Sequence, residues 1–126
     1  LLTFDGRYLL FDTNFVSEPF NLNEIIFKMT VAGYRPVLAH PERYAYMTIQ
    51  KAEDIRNRGV LLQLNLLSLI GFYGRPAETM ARQLIDRNMI DAVGSDAHSI
   101  AQARLLIDVM QTRSFAKAME LPLLNY

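Results

Sequence analysis

Short apolar runs alternate along the chain with segments in which apolar residues recur every three or four positions. The run Tyr8-Leu9-Leu10-Phe11 fits a strand buried on both faces. Asn21-Leu22-Asn23-Glu24 then resembles a capping box, and behind it Leu22, Ile25, Ile26 and Met29 fall on one helical face. Gly33 is a natural stop. Arg35-Pro36-Val37-Leu38-Ala39 predicts a second strand, with Pro36 at its start or edge. A short helix over residues 52–58 follows, stopped by Gly59, and Val60-Leu61-Leu62-Gln63-Leu64 predicts the third strand. Pro76 suits the first turn of a third helix, which carries Met80, Leu84 and Ile85 and stops near Asn88. Ile90-Asp91-Ala92-Val93-Gly94 predicts the fourth strand. Ser99 caps a last helix striped by Leu105, Leu106, Val109 and Met110, whose continuation reaches as far as Pro122.

Four consecutive βα units predict an α/β domain with a parallel sheet and helices outside it. The pattern alone leaves open whether the sheet is doubly wound or part of a (β/α) barrel. At 126 residues the chain has the size of one small domain.

The polar residues fall in a telling place. Asp12 follows the first predicted strand, His40 the second, Asn65 the third, and Asp96 and His98 the fourth. Parallel strands therefore bring them all to one rim, where α/β enzymes place their sites. Both histidines of the chain are on that rim. Carboxylates together with imidazoles suit Mn²⁺, Fe or Zn²⁺, and in Asp96-Ala97-His98 an extended backbone points both ligands to one side. Each residue also has a plain structural explanation. Asp12 can begin a turn, Asp96 and His98 can form a loop that caps the last helix, and His40 before Pro41 can be a buried core histidine. Asn65 is more simply structural. Met29, Met80, Met89 and Met110 fit core filler, and Tyr44 and Tyr46 fit loop packing. Arg43, three residues beyond His40, could hold a phosphate oxygen bidentately or pair with Glu42. Arg75 and Arg104 are weaker candidates of the same kind.

Composition narrows the chemistry. With no cysteine there is no thiolate ligand and no cysteine nucleophile, which agrees with a cytoplasmic protein. Thirteen basic residues balance thirteen acidic ones, so no charge excess points to nucleic acid. No apolar stretch approaches the roughly 18 residues of a membrane span, and residues 1–5 lack the pattern of a signal peptide.

Three blocks carry a family resemblance: Tyr8 to Asp12, Gly33 to Tyr44 with its His40-Pro41-Glu42-Arg43, and Gly94-Ser95-Asp96-Ala97-His98, with Gly59 to Asn65 and Ser68 between them. In order and spacing they are similar to the PHP (polymerase and histidinol phosphatase) type tyrosine phosphatases of bacterial capsule and exopolysaccharide systems. The resemblance implies part of a distorted (β/α)₇ PHP barrel, with residues 1–126 as the C-terminal portion of a single PHP domain. It implies a metal site, usually Mn²⁺, with Fe, Mg²⁺ or Zn²⁺ as alternatives, held here by Asp12, His40, Asp96 and His98. Asp12 stands where the family usually has glutamate. Arg43 falls on an arginine that binds the substrate phosphate. Arg104 lies near a second such arginine, one residue late. The implied function is a metal-dependent phosphomonoester hydrolase, a protein-tyrosine phosphatase whose partner is the phosphotyrosine tail of a bacterial capsule-system kinase. The alternatives are a phosphatase for a small ester such as histidinol phosphate, or a non-catalytic fragment. The family's N-terminal His-x-His segment and a further histidine and glutamate have no counterpart here, so poor activity of the isolated chain and homo-oligomerisation are expected.

Overall fold

The computed structural model describes residues 2–4, 7–95 and 99–124. Five strands form one sheet in the order β1-β2-β3-β4-β5. Strand β1 (Leu2–Phe4) pairs antiparallel with β2 (Tyr8–Phe11), with Thr3 opposite Leu9. From there β3 (Arg35–Ala39), β4 (Leu61–Asn65) and β5 (Ala92–Gly94) are added in parallel, each next to its predecessor. Between them run α1 (Leu22–Val31), α2 (Ile49–Asn57) and α3 (Arg75–Asp86), and α4 (Ile100–Met110) and α5 (Arg113–Ala118) follow.

This order settles the alternative that the hydrophobic pattern left open. A doubly wound sheet reverses its direction of growth at a switch point. Here each new parallel strand is added on the same side as the last, which is how a barrel wall is built. The register separates two faces. Leu9, Phe11, Leu38, Leu62 and Leu64 alternate along β2, β3 and β4, are all buried, and join the main apolar core with the helices. Burial of each such side chain is worth about 1.5–3 kcal/mol. Leu10, Ala39 and Gln63 face the other way, and Leu10 and Gln63 are only half-buried.

The four predicted strands and helices are present, with differences at their ends that have physical reasons. The α1 capping box does not form: Asn21 sits at φ −103°, ψ 23°, and makes no side-chain cap. An N-cap needs extended backbone to aim its oxygen back at the helix. Thr48, Ser99 and Thr112 have that geometry and do cap, accepting from Lys51, Gln102 and Phe115 amides. Thr48 therefore starts α2 three residues before the predicted position. Thr112 starts a separate α5, so α4 does not continue toward Pro122. Gly33 and Gly59 lie at φ +95° and +93°, a left-handed conformation that ends α1 and α2 at little cost only with glycine. Strand β1 and two 3₁₀ turns, Pro41–Arg43 and Leu66–Ile70, are additions that the pattern did not predict.

Candidate metal and phosphate site

Each parallel strand delivers its next residue to the same edge of the sheet. Asp12 and His40 meet there, with His40 Nε2 4.0 Å from Asp12 Oδ2. Together with Gln63, Asn65 and Ser95 they line a cavity of about 300 Å³. Asp12 is largely exposed and His40 is nearly buried. A carboxylate oxygen and an imidazole nitrogen so placed are a fitting donor pair for Mn²⁺, Fe or Zn²⁺. Among the described residues no group of three or more such donors forms. Asp96 and His98, the other two expected ligands, lie outside the described residues, although Ser95 just before them lines the cavity.

His40 is held in an unusual backbone state, φ 39° and ψ 58°. A non-glycine residue there, and one before proline, costs about 1–3 kcal/mol that its surroundings must offset. The His40 amide donates to the Gln63 carbonyl at 2.8 Å, and the Arg43 amide donates to the His40 carbonyl at 3.0 Å. The resulting turn is what aims the imidazole at Asp12.

Glu42 anchors the same turn from beneath. Its side chain is buried, and Oε2 accepts from Ser68 Oγ at 2.6 Å and from the Asn65 amide at 3.2 Å. Oε1 has no hydrogen-bond partner among the described residues. Burial pushes the carboxyl up from 4.5 to about 7, against the opposing pull of the Ser68, backbone and Arg43 contacts. Glu42 therefore ties the β3 and β4 ends together, and makes no hydrogen-bonded pair with Arg43. Asn65 is structural, as expected. Its Oδ1 accepts from the Leu67 amide at 3.0 Å, and its Nδ2 donates to Tyr73 Oη at 3.2 Å.

Arg43 is stacked on aromatic rings. Its guanidinium carbon lies 3.8 Å from the Tyr73 ring centroid and 4.7 Å from that of Phe15. Such stacking fixes the plane of the fork. Arg104 is exposed on α4 and Arg75 is exposed at the start of α3. None of the three arginines lines the Asp12–His40 cavity, and Arg43 lines a neighbouring one with Tyr44 and Tyr73.

Tyr44 and Tyr46 do more than fill a loop. Tyr44 Oη donates to the Ala39 carbonyl at 2.9 Å and accepts from the Thr13 amide at 3.2 Å. Tyr46 Oη and Thr13 Oγ1 are 2.6 Å apart. Burial pushes both phenols up, so both stay protonated, and Tyr44 can donate to the Ala39 carbonyl. Sequence reasoning passed over Phe15, Ser68, Tyr73 and Gln63 as site residues. Ser68 stands among the residues that carry the family resemblance, and Gln63 is a polar residue inside an otherwise apolar strand.

A family model described as capsular polysaccharide synthesis, CpsB/CapC, matches residues 2–112. The CapC protein of Staphylococcus aureus is 30% identical over 106 residues, 82% of this chain and 41% of that protein. The tyrosine-protein phosphatase YwqE of Bacillus subtilis is 29% identical over 98 residues, 76% of this chain and 39% of YwqE. A crystal structure from work on YwqE and on CpsB of Streptococcus pneumoniae, described as metal-dependent tyrosine phosphatases, superposes with a TM-score of 0.71 at 21% identity. It covers 100% of this chain and 59% of its own. The chain thus spans about two-fifths of the length of the curated relatives it matches. No helix among the described residues is long and apolar enough to cross a membrane. The chain belongs to the CpsB/CapC family of capsular polysaccharide synthesis.

Proposed function

We propose that this member of the CpsB/CapC family supplies part of the active site of a metal-dependent phosphomonoester hydrolase, a protein-tyrosine phosphatase acting on the tail of a capsule-system kinase. The observation that carries the reading is the meeting of Asp12 and His40 at the rim, with Arg43 fixed on the adjoining turn. The description of YwqE and CpsB as metal-dependent tyrosine phosphatases supports it.

Asp12, His40, Asp96 and His98 are the residues that hold divalent metal in this reading, with Mn²⁺ the first choice. Bound metal supplies Lewis-acid polarisation of the phosphate and a water of lowered pKa. The chain's own residues do the rest. Asp12 and His40 would hold that metal at the mouth of the cavity they line. Arg43 neutralises charge that develops on the phosphoryl oxygens, and its stacked guanidinium loses little freedom in doing so. Arg104, on the exposed face of α4, is the second candidate for a phosphate contact. Glu42 touches no reacting atom in this scheme and holds the turn.

The test uses the metal-loaded gene product that carries this chain, with a phosphotyrosine peptide and histidinol phosphate as competing substrates. The expected result is preferential hydrolysis of the peptide, with Asp12→Ala and His40→Ala lowering bound metal and turnover together. Unchanged metal content in both variants would remove these residues from the site. Preference for histidinol phosphate would move the substrate to a small ester.

A further inference from the structure

Phe15 lies in the loop after β2, outside every block that carries the family resemblance, and in the scheme above it serves only as one of the two rings that Arg43 stacks on. Its position is fixed from several directions. Its carbonyl accepts from the Ala45 amide at 2.7 Å. Two residues earlier, Thr13 is bonded to both Tyr44 and Tyr46. Just beyond it, Asn14 Oδ1 accepts from the Val16 and Ser17 amides at 2.8 and 3.2 Å, which closes the turn. The Phe15 ring stacks on Tyr44 with centroids 5.5 Å apart, lies 5.0 Å from the His40 ring, and sits beneath the Arg43 guanidinium. It is nevertheless 40% exposed. An apolar residue packed beside a candidate metal ligand and a candidate phosphate-binding group, and left this exposed, does not serve the core.

We infer that Phe15 is a specificity-determining residue, an aromatic wall that receives the aryl ring of a phosphomonoester whose phosphate lies against His40 and Arg43. The inference deepens the phosphatase reading and rests on it. The scale suits the task. In an aryl phosphate the ring is separated from phosphorus by a single ester oxygen. Aromatic rings pair at centroid separations of about 4.5–7 Å, and Phe15 already keeps such distances from His40 and Tyr44. A serine or histidinol phosphate offers no ring at that distance from phosphorus, so Phe15 favours aryl over alkyl esters.

The experiment compares kcat/KM for a phosphotyrosine peptide and for the same peptide with phosphoserine, in the metal-loaded gene product and its Phe15→Leu and Phe15→Tyr variants. Each substrate keeps its own leaving group across the series, so a change in the ratio reports recognition. Phe15→Leu is expected to lower the aryl-to-alkyl ratio about fivefold, chiefly through KM, and Phe15→Tyr to restore it. The inhibition constants of phenylphosphonate and inorganic phosphate should diverge in the same sense, a readout that survives loss of turnover. An equal fall for both substrates would overturn the inference and leave Phe15 as a support for Arg43. An unchanged ratio would overturn it too. A wild-type protein that hydrolyses neither peptide would instead overturn the phosphatase reading, and this inference with it.

Discussion

Glu42 and Arg43 are adjacent in sequence and do opposite things. Glu42 turns inward, to Ser68 Oγ and the Asn65 amide, while Arg43 stacks on Tyr73 and Phe15. The inward carboxyl makes a prediction about pH. With its folded pKa raised to about 7, the folded chain keeps a proton between pH 4.5 and that value which the unfolded chain has released. Stability from this group therefore falls as pH rises through that interval, by up to about 3 kcal/mol, and is level above it. Glu42→Gln keeps the size and an acceptor but removes the titration. Urea denaturation of both proteins at pH 4.5 and pH 8 should show the variant gaining on the wild type at the higher pH, and a gap that is the same at both would refute the assignment. The outward arginine makes a kinetic prediction. Arg43→Ala should lower phosphotyrosine turnover about 10²-fold with bound metal unchanged by elemental analysis, and undiminished turnover would remove Arg43 from the mechanism. The sequence alone left open whether these two side chains pair. Only the spatial approach of Ser68, 26 residues on, decides it.

At the scale of elements, the post-β2 loop and the post-β3 turn behave as one unit because Tyr44 joins them. Its hydroxyl links the Ala39 carbonyl to the Thr13 amide in buried and half-buried surroundings. Tyr44→Phe leaves both backbone groups without that partner, at a cost of about 1–3 kcal/mol. A melting temperature lower by several degrees is expected, and an unchanged one would mean that other groups or water replace the phenol. The helix caps show where sequence reading succeeds and fails. Ser99 was legible because an extended serine before an apolar stripe has one obvious use. Asn21 carried an equally good signature, yet its φ and ψ lie outside the extended region and its side chain caps nothing. The expected continuation of α4 beyond Met110 fails for a related reason. Thr112 bonds back to the Val109 carbonyl at 2.7 Å and caps the next helix with the same hydroxyl, breaking what periodicity alone treats as continuous. Cap spacing is written in sequence, but the backbone angles that make a cap work are set by tertiary contacts.

For the whole molecule, strand identity and parallel growth were legible, because each βα unit carries its own apolar period. The direction of growth was not, since both windings satisfy the same local pattern. The rim was legible in part. Asp12 and His40 meet as their strand-end positions imply, whereas Asp96 and His98 lie outside the described residues. The geometry of the assembled sheet has a consequence for these 126 residues studied alone. Among the described residues β5 pairs on one side only, with β4, and an unpaired strand edge attracts another chain. Large apolar side chains also stand in solvent on several elements: Phe20 before α1, Phe27 and Val31 on it, and Ile100, Ile107 and Met110 on α4. Exposed apolar surface of this extent favours burial between subunits. The donor count acts in a different direction. Four candidate ligands, two of them Asp12 and His40, are too few for several metals that each take about four to six. The isolated 126-residue chain is therefore expected to self-associate, to bind Mn²⁺ weakly and to hydrolyse phosphotyrosine poorly. Light scattering, metal analysis and a phosphatase assay on one sample check the three together. A monomer with tightly held stoichiometric metal and high turnover would show that the rim formed by β2 to β5 is a complete site, and that the apolar residues on α1 and α4 have no subunit to cover them.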